Sequence, residues 1–198
     1  MMYHLVHVPH GTLPIVRKQE LLDAIVAELA RGGIGDRSLR DIGAAVGTSH
    51  RMLIHHFGSR EGLLTEVVRR VEGDQRLFLA SLDLAPELAL DQLWERLSDP
   101  QLRPAERLFF ECYARATRGE APFASLLPGL VDDWLDVAIR LRLVWPGDER
   151  TERARARAGL AMIRGLLLDL VATNDRDGVD DAFGELRALI AAGAPGAT

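Results

Sequence analysis

Residues 38–60, SLRDIGAAVGTSHRMLIHHFGSR, constrain the fold more than any other stretch, because they spell two short helices joined by a glycine turn. Ser38 has the side chain of an N-cap, a hydroxyl able to accept from an orphan backbone amide. Asp41, three residues on, can reach back as the acidic half of a capping box. Leu39, Ile42, Ala45 and Val46 recur at the spacing of one apolar helix face, and Arg37, Arg40 and Ala44 fall off it. Gly47 ends this helix, since glycine takes positive φ without steric cost. Ser49 caps a second helix from His50 to Phe57, with Leu53 and Phe57 as its buried pair and His50, Arg51, Ile54 and His55 outside. Such a pair is a helix-turn-helix, whose second member can enter the major groove of DNA. The same hairpin also serves as a plain packing unit in all-α proteins, and spacing alone does not separate the two.

Charge separates them better. The chain carries 24 basic and 29 acidic residues, a net charge of −5, which argues against a general nucleic-acid coat. Within the hairpin, however, Arg37, Arg40, Arg51 and Arg60 face Asp41 alone, with His50, His55 and His56 beside them, whereas acids outnumber bases beyond residue 70. Phosphate binding needs that focus, and affinity is expected to fall steeply with salt. Arg51 is able to read guanine O6 and N7 bidentately, a contact worth roughly 1–3 kcal/mol of discrimination. Arg60 lies in the first turn of a helix capped by Ser59, where free amides and the dipole favour a phosphate oxygen. His56 is suited equally to packing against Phe57 and Leu63.

The segment GTSHRMLIHHFGSREGLL resembles the recognition helix and following helix of the TetR/AcrR family of bacterial transcriptional regulators. The family pattern runs through Thr48, Ser49, the variable His50 to Met52, Leu53, Ile54, His55, His56, Phe57, the turn Gly58-Ser59 and Arg60. The resemblance extends from about Arg17 through Leu64, and ARAGLAMIRGLLLDLVATND from Ala156 is similar, more loosely, to the penultimate long helix of many members. It implies that His50, Arg51 and Ile54 face base edges and that Ser38, His55, His56 and Arg60 hold phosphates, with Thr48 and Ser49 completing the DNA-binding set. Two positions depart from the pattern. Ile54 replaces a usual Tyr and offers only apolar contact, for example to a thymine methyl, which implies a shifted operator preference. Gly43 replaces a usual Ala in mid-helix, at roughly 0.5–1 kcal/mol, which a tight helix crossing would offset.

Only helical periodicity recurs, so the expected class is all-α with about nine helices. A stripe of Leu22, Ile25, Val26 and Leu29 predicts a first helix from about Ile15 to Ala30, broken by GGIGD. A long helix from Ser59 to about Leu82 links the hairpin to the rest. Proline and glycine breaks then leave helices near 87–98, 104–118, 123–145, 149–174 and 179–192. The expected organisation is a disordered arm over 1–14, a helix-turn-helix domain over 15–76 with its recognition helix at about 49–57, and an effector-binding and dimerisation domain over 77–198. In the arm, His4, His7 and His10 lie at three-residue spacing, but Pro9 and the lack of a nearby carboxylate or thiol argue against a metal site.

The family resemblance makes a pocket for an unidentified small apolar or amphipathic effector the expectation in the second domain, with Trp94, Phe109, Phe110, Cys112, Tyr113, Trp134 and Met162 as candidate wall residues. Ordinary core is the competing role for each. Leu160, Ile163, Leu167, Leu170 and, on the last helix, Phe183, Leu186 and Ile190 form wide apolar faces expected at a homodimer interface, where Gly159, Ala161 and Gly165 would let helices approach. A two-fold dimer implies near-palindromic double-stranded operator DNA. Cys112 is the sole cysteine, so neither an internal disulfide nor a thiolate cluster forms, which suits the cytoplasm. No cofactor, metal or membrane segment is expected. All six histidines lie at or before position 56, so Cys112 has no base in its own domain, and no glycine-rich phosphate loop follows a strand; an enzyme is not expected. The expected function is a repressor released by its effector. The alternative is a helical ligand-binding or scaffold protein that has lost specific DNA binding through Ile54.

Overall fold

The computed structural model describes residues 13–32, 37–144 and 146–192. The proposed arm, including His4, His7 and His10, lies outside the described residues up to position 12. The described residues form nine α-helices: α1 (Leu13–Gly32), α2 (Leu39–Ala45), α3 (His50–Phe57), α4 (Arg60–Ser81), α5 (Pro86–Leu97), α6 (Arg103–Thr117), α7 (Leu127–Arg140), α8 (Glu149–Thr173) and α9 (Arg176–Ala192). Short 3-10 turns precede α6 at Pro100–Leu102 and α7 at Phe123–Leu126.

Boundaries follow local chemistry. Gly47 and Gly58 take φ of +71° and +76° to turn the chain on either side of α3. The single helix expected over 123–145 is shorter than that. Pro128 has no amide to give an earlier turn and so sits in the first turn of α7, and Arg142 at φ +56° ends the segment after Arg140. At the other end of the chain, Asp175 accepts the Gly178 amide at 3.0 Å, so α9 begins at Arg176 and absorbs the Asp177-Gly178 pair expected to break it.

Two clusters form the core. Leu22, Ile25 and Leu29 of α1 pack with Leu39 and Ile42 of α2, Leu53 and Phe57 of α3, and Leu63, Leu64, Val67 and Val68 of α4. That cluster does not stop at the hairpin, because Ala105, Leu108, Phe109, Cys112 and Ala116 of α6 belong to it. The second cluster joins the end of α4 to α5, α7, α8 and α9 through Leu79, Leu93, Trp94, Trp134, Ile163, Leu170 and Phe183. Ala45 is exposed where an apolar face was expected; Gly43 takes its place inside.

Candidate functional site

Serine caps shape the edge of the hairpin. Ser38 Oγ donates to Asp41 Oδ2 at 2.6 Å and accepts the Asp41 amide at 3.3 Å, and the Ser38 amide donates to the same carboxylate at 3.2 Å. These bonds hold the Asp41 carboxyl below the usual carboxylate range and engage the Ser38 hydroxyl as a cap. Ser49 Oγ accepts the Met52 amide at 3.2 Å and starts α3. Gly43 lets α3 start so close to α2. The Thr48 amide donates to the Gly43 carbonyl at 2.8 Å, and a Cβ on Gly43 would lie 2.9 Å from the Thr48 carbonyl oxygen.

His50, Arg51, Ile54 and His55 all stand exposed on α3, Ile54 with 39% of its surface open. Arg40 is exposed on α2. Thr48 and His56 are half-buried, and the His56 ring lies edge-on to His55 and Phe57, with centroids 5.0 and 6.2 Å away. Arg60 donates its Nε–H to the Arg37 carbonyl at 2.9 Å, and Arg37 pairs with Glu28 at 3.0 Å. These two arginines therefore brace the hairpin, a use that sequence spacing did not reveal.

The second feature is a cavity of about 90 Å³ between α4, α5, α6, α7, α8 and α9. Its wall is largely leucine and isoleucine, with Phe109 and Trp134 the two expected aromatics that reach it. The other proposed wall residues lie elsewhere. Trp94 stacks on Phe183 at 4.7 Å, and its indole Nε1–H goes to Asp180 at 2.8 Å. Cys112 is fully buried in the hairpin-side core, where burial pushes its thiol up to about 12. Phe110 and Tyr113 pack against core clusters, and Met162 is 42% exposed on the outer surface.

Three charged residues that sequence reasoning missed, Glu72, Glu106 and Arg164, enter this wall. Burial pushes the Glu72 carboxyl up, opposed by a 2.7 Å hydrogen bond from Trp134 Nε1 and by the charges of Arg164 and Arg76. Burial and the nearby charge of Glu72 raise Glu106 to about 8, against the pull of Arg164. Burial lowers Arg164 in turn. The signal lay in RPAERLFFECY, where Glu106 stands three residues from Phe109 on a helix that is otherwise apolar at this spacing.

The residues expected at a dimer interface mostly face inward. Leu160, Ile163, Leu167, Leu186 and Ile190 line the cavity, and Leu170 and Phe183 are buried in the core of their own chain. The widest apolar face of each helix went to the interior, as the larger burial demands. The outward face of α8 is a different stripe, Ala158, Ala161, Met162, Gly165, Leu168 and Ala172, all exposed.

Residues 21–67 match the family described as bacterial regulatory proteins, tetR family. That span covers most of α1, all of α2 and α3, and the start of α4. No curated protein sequence matches the chain. Among solved structures, a transcriptional regulator from Rhodococcus sp. Rha1 is 18% identical, with a TM-score of 0.66 over 89% of this chain and 97% of its own. A TetR-like transcriptional regulator from Rhodococcus sp. RHA1 is 20% identical, with a TM-score of 0.58 over 94% and 98%. A third, described in terms of control of antibiotic production by a bacterial hormone, is 21% identical with a TM-score of 0.60 over 89% and 96%. At these identities the likeness is one of fold. Among the described residues no helix is long and apolar enough to cross a membrane, and no cluster of three or more potential metal ligands occurs. The helix-turn-helix over these residues, whose second helix bares Arg51 and two histidines, is thus a DNA-binding domain of the TetR type.

Proposed function

We propose that this protein is a transcriptional regulator, a cytoplasmic homodimer that represses from a near-palindromic operator and leaves the DNA when a small molecule enters the cavity. The observation that carries the reading is the position of α6. Ala105, Leu108, Cys112 and Ala116 lie in the hairpin-side core, while Glu106 and Phe109 line the cavity. A close-packed interior passes a displacement on, so a ligand that shifts α6 also shifts α2 and α3.

On the DNA, Arg51 reads a base edge, with His50 and Ile54 beside it. His55 and His56 serve phosphates, and Thr48 and Ser49 stand at the amide-rich start of α3. Ser38 reaches a phosphate only by exchanging its hydroxyl's bond to Asp41, so it contributes less, whereas Arg60 holds the Arg37 carbonyl through its Nε–H and reaches a phosphate through its Nη groups. Pairing through the exposed α8 stripe and the outer side of α9 would set two copies of α3 about 34 Å apart, or a multiple of it.

The test is a titration of the full chain against a duplex from upstream of its own gene, beside a scrambled duplex, at two salt concentrations. Tight, salt-sensitive preference for the native duplex is expected. R51A should lose about tenfold to a hundredfold on the native duplex only. Equal weak binding to both by the native protein, or R51A indistinguishable from it, would favour a ligand-binding protein without operator recognition.

A further inference from the structure

The cavity wall holds more polar chemistry than an apolar ligand needs, and its hydrogen bonds are unequally shared. Glu72 accepts the Trp134 indole and lies 3.6 Å from Arg164 Nη2 and 3.9 Å from Arg76 Nη1. Arg164 donates to the Leu130 carbonyl and lies over the rings of Phe109 and Tyr113, at 5.2 and 5.7 Å. Glu106 is only 6% exposed, stands in the cavity wall, and takes no part in the hydrogen bonds that tie Glu72 and Arg164 to their neighbours. A carboxyl in an otherwise largely apolar wall is the polar group that a molecule in the cavity would have to satisfy, so Glu106 marks the place for a ligand's polar atom. Of the two acids, Glu72 has the indole and the guanidiniums, so the proton of the pair settles on Glu106. An un-ionised carboxyl there offers an O–H donor to whatever fills the cavity.

We propose that the cavity takes an uncharged amphipathic molecule, its apolar body against the leucines of α5 and α8 and a ketone- or ester-type oxygen accepting the Glu106 O–H. The inference rests on the reading of this cavity as the effector seat. Charge balance in the wall selects for neutrality. Arg164 and Arg76 already answer Glu72, and Arg76 also reaches Asp133 at 3.2 Å. A carboxylate ligand would set a third acid against Glu72 and Glu106. An ammonium would have to draw the proton from Glu106 and keep two carboxylates ionised in one dry volume. A carbonyl oxygen requires neither.

Calorimetric titration of the full chain with 2-octanone, octylamine and octanoate tests the class on one alkyl scale. At about pH 6.5 the ketone is expected to bind about tenfold more tightly than the other two. By about pH 9.5 its affinity should fall roughly thirtyfold, the loss of protonated Glu106 for a carboxyl at about 8. E106Q keeps an amide donor and should bind the ketone without that pH dependence, whereas E106L should bind it weakly at both pH values. Tighter binding of the amine or the carboxylate, ketone binding indifferent to pH in the native protein, or no binding of any probe would overturn the proposal. Release of the operator duplex is read separately. Ketone binding with these signatures but without release leaves the ligand class standing and removes the effector reading; release by octylamine alone does the reverse.

Discussion

Glu106 holds its proton up to about pH 8 because its carboxyl lies in an apolar wall beside the charge of Glu72. Between the ordinary value of 4.5 and about 8, the folded chain therefore binds more protons at this residue than the unfolded chain does. Its contribution to stability is complete below about pH 4.5, is lost as pH rises through that window and is level above it. E106Q removes the titration and keeps the shape. Thermal unfolding should find the variant close to the native protein at about pH 5 and more stable at about pH 9, by an amount on the order of a few kcal/mol. Equal differences at both pH values would mean that Glu106 is ionised in the folded state, with Glu72 carrying the proton. Arg51 and Arg60 make the complementary point about cations: one is held out to solvent, whereas the other is turned back onto the Arg37 carbonyl, so identical side chains nine positions apart do different work.

At the scale of helices, α2 and α3 meet over Gly43, where a Cβ would come within 2.9 Å of the Thr48 carbonyl oxygen. Backbone cannot swing aside as a long side chain can, so G43A should push the start of α3 outward. Its gain in helix propensity, about 1 kcal/mol, is set against overpacking of roughly 1–3 kcal/mol. A lower melting temperature with a larger proportional loss of operator affinity is expected. A stabilised variant with unchanged affinity would show that the crossing has slack. The hairpin was legible in the sequence because its signals are local: Ser38, Ser49 and Ser59 cap the helices their spacing marks, and Gly47 and Gly58 turn the chain between them. The distal helices were legible as helices but not as faces. Leu160, Ile163 and Leu167 form an apolar stripe whether they meet another chain or their own α9, and the pattern carries no sign of which. The cavity charges were hidden for a related reason, since Glu72 and Glu106 are thirty-four positions apart and ordinary in their own helices until packing brings them together.

For the whole molecule, the exposed stripe of α8 gives the proposed dimer its test. Leu168 is 50% exposed at the middle of that stripe, between Gly165 and Ala172. L168D should leave helicity intact while halving the mass measured by light scattering, with operator affinity falling alongside; a variant that keeps both dimer mass and affinity would remove α8 from the interface. Within one subunit, α6 serves the hairpin core with Ala105, Leu108, Cys112 and Ala116 and the cavity with Glu106. That shared helix bears on ancestry as much as on signalling. A recombination joint near residue 76 would graft a foreign hairpin onto an α6 surface shaped for this one, so new operator preferences come more readily by point changes along the outer side of α3 than by exchange of the amino-terminal segment. Diversification of DNA and ligand specificity then proceeds on opposite sides of one inherited helix that must itself stay nearly fixed.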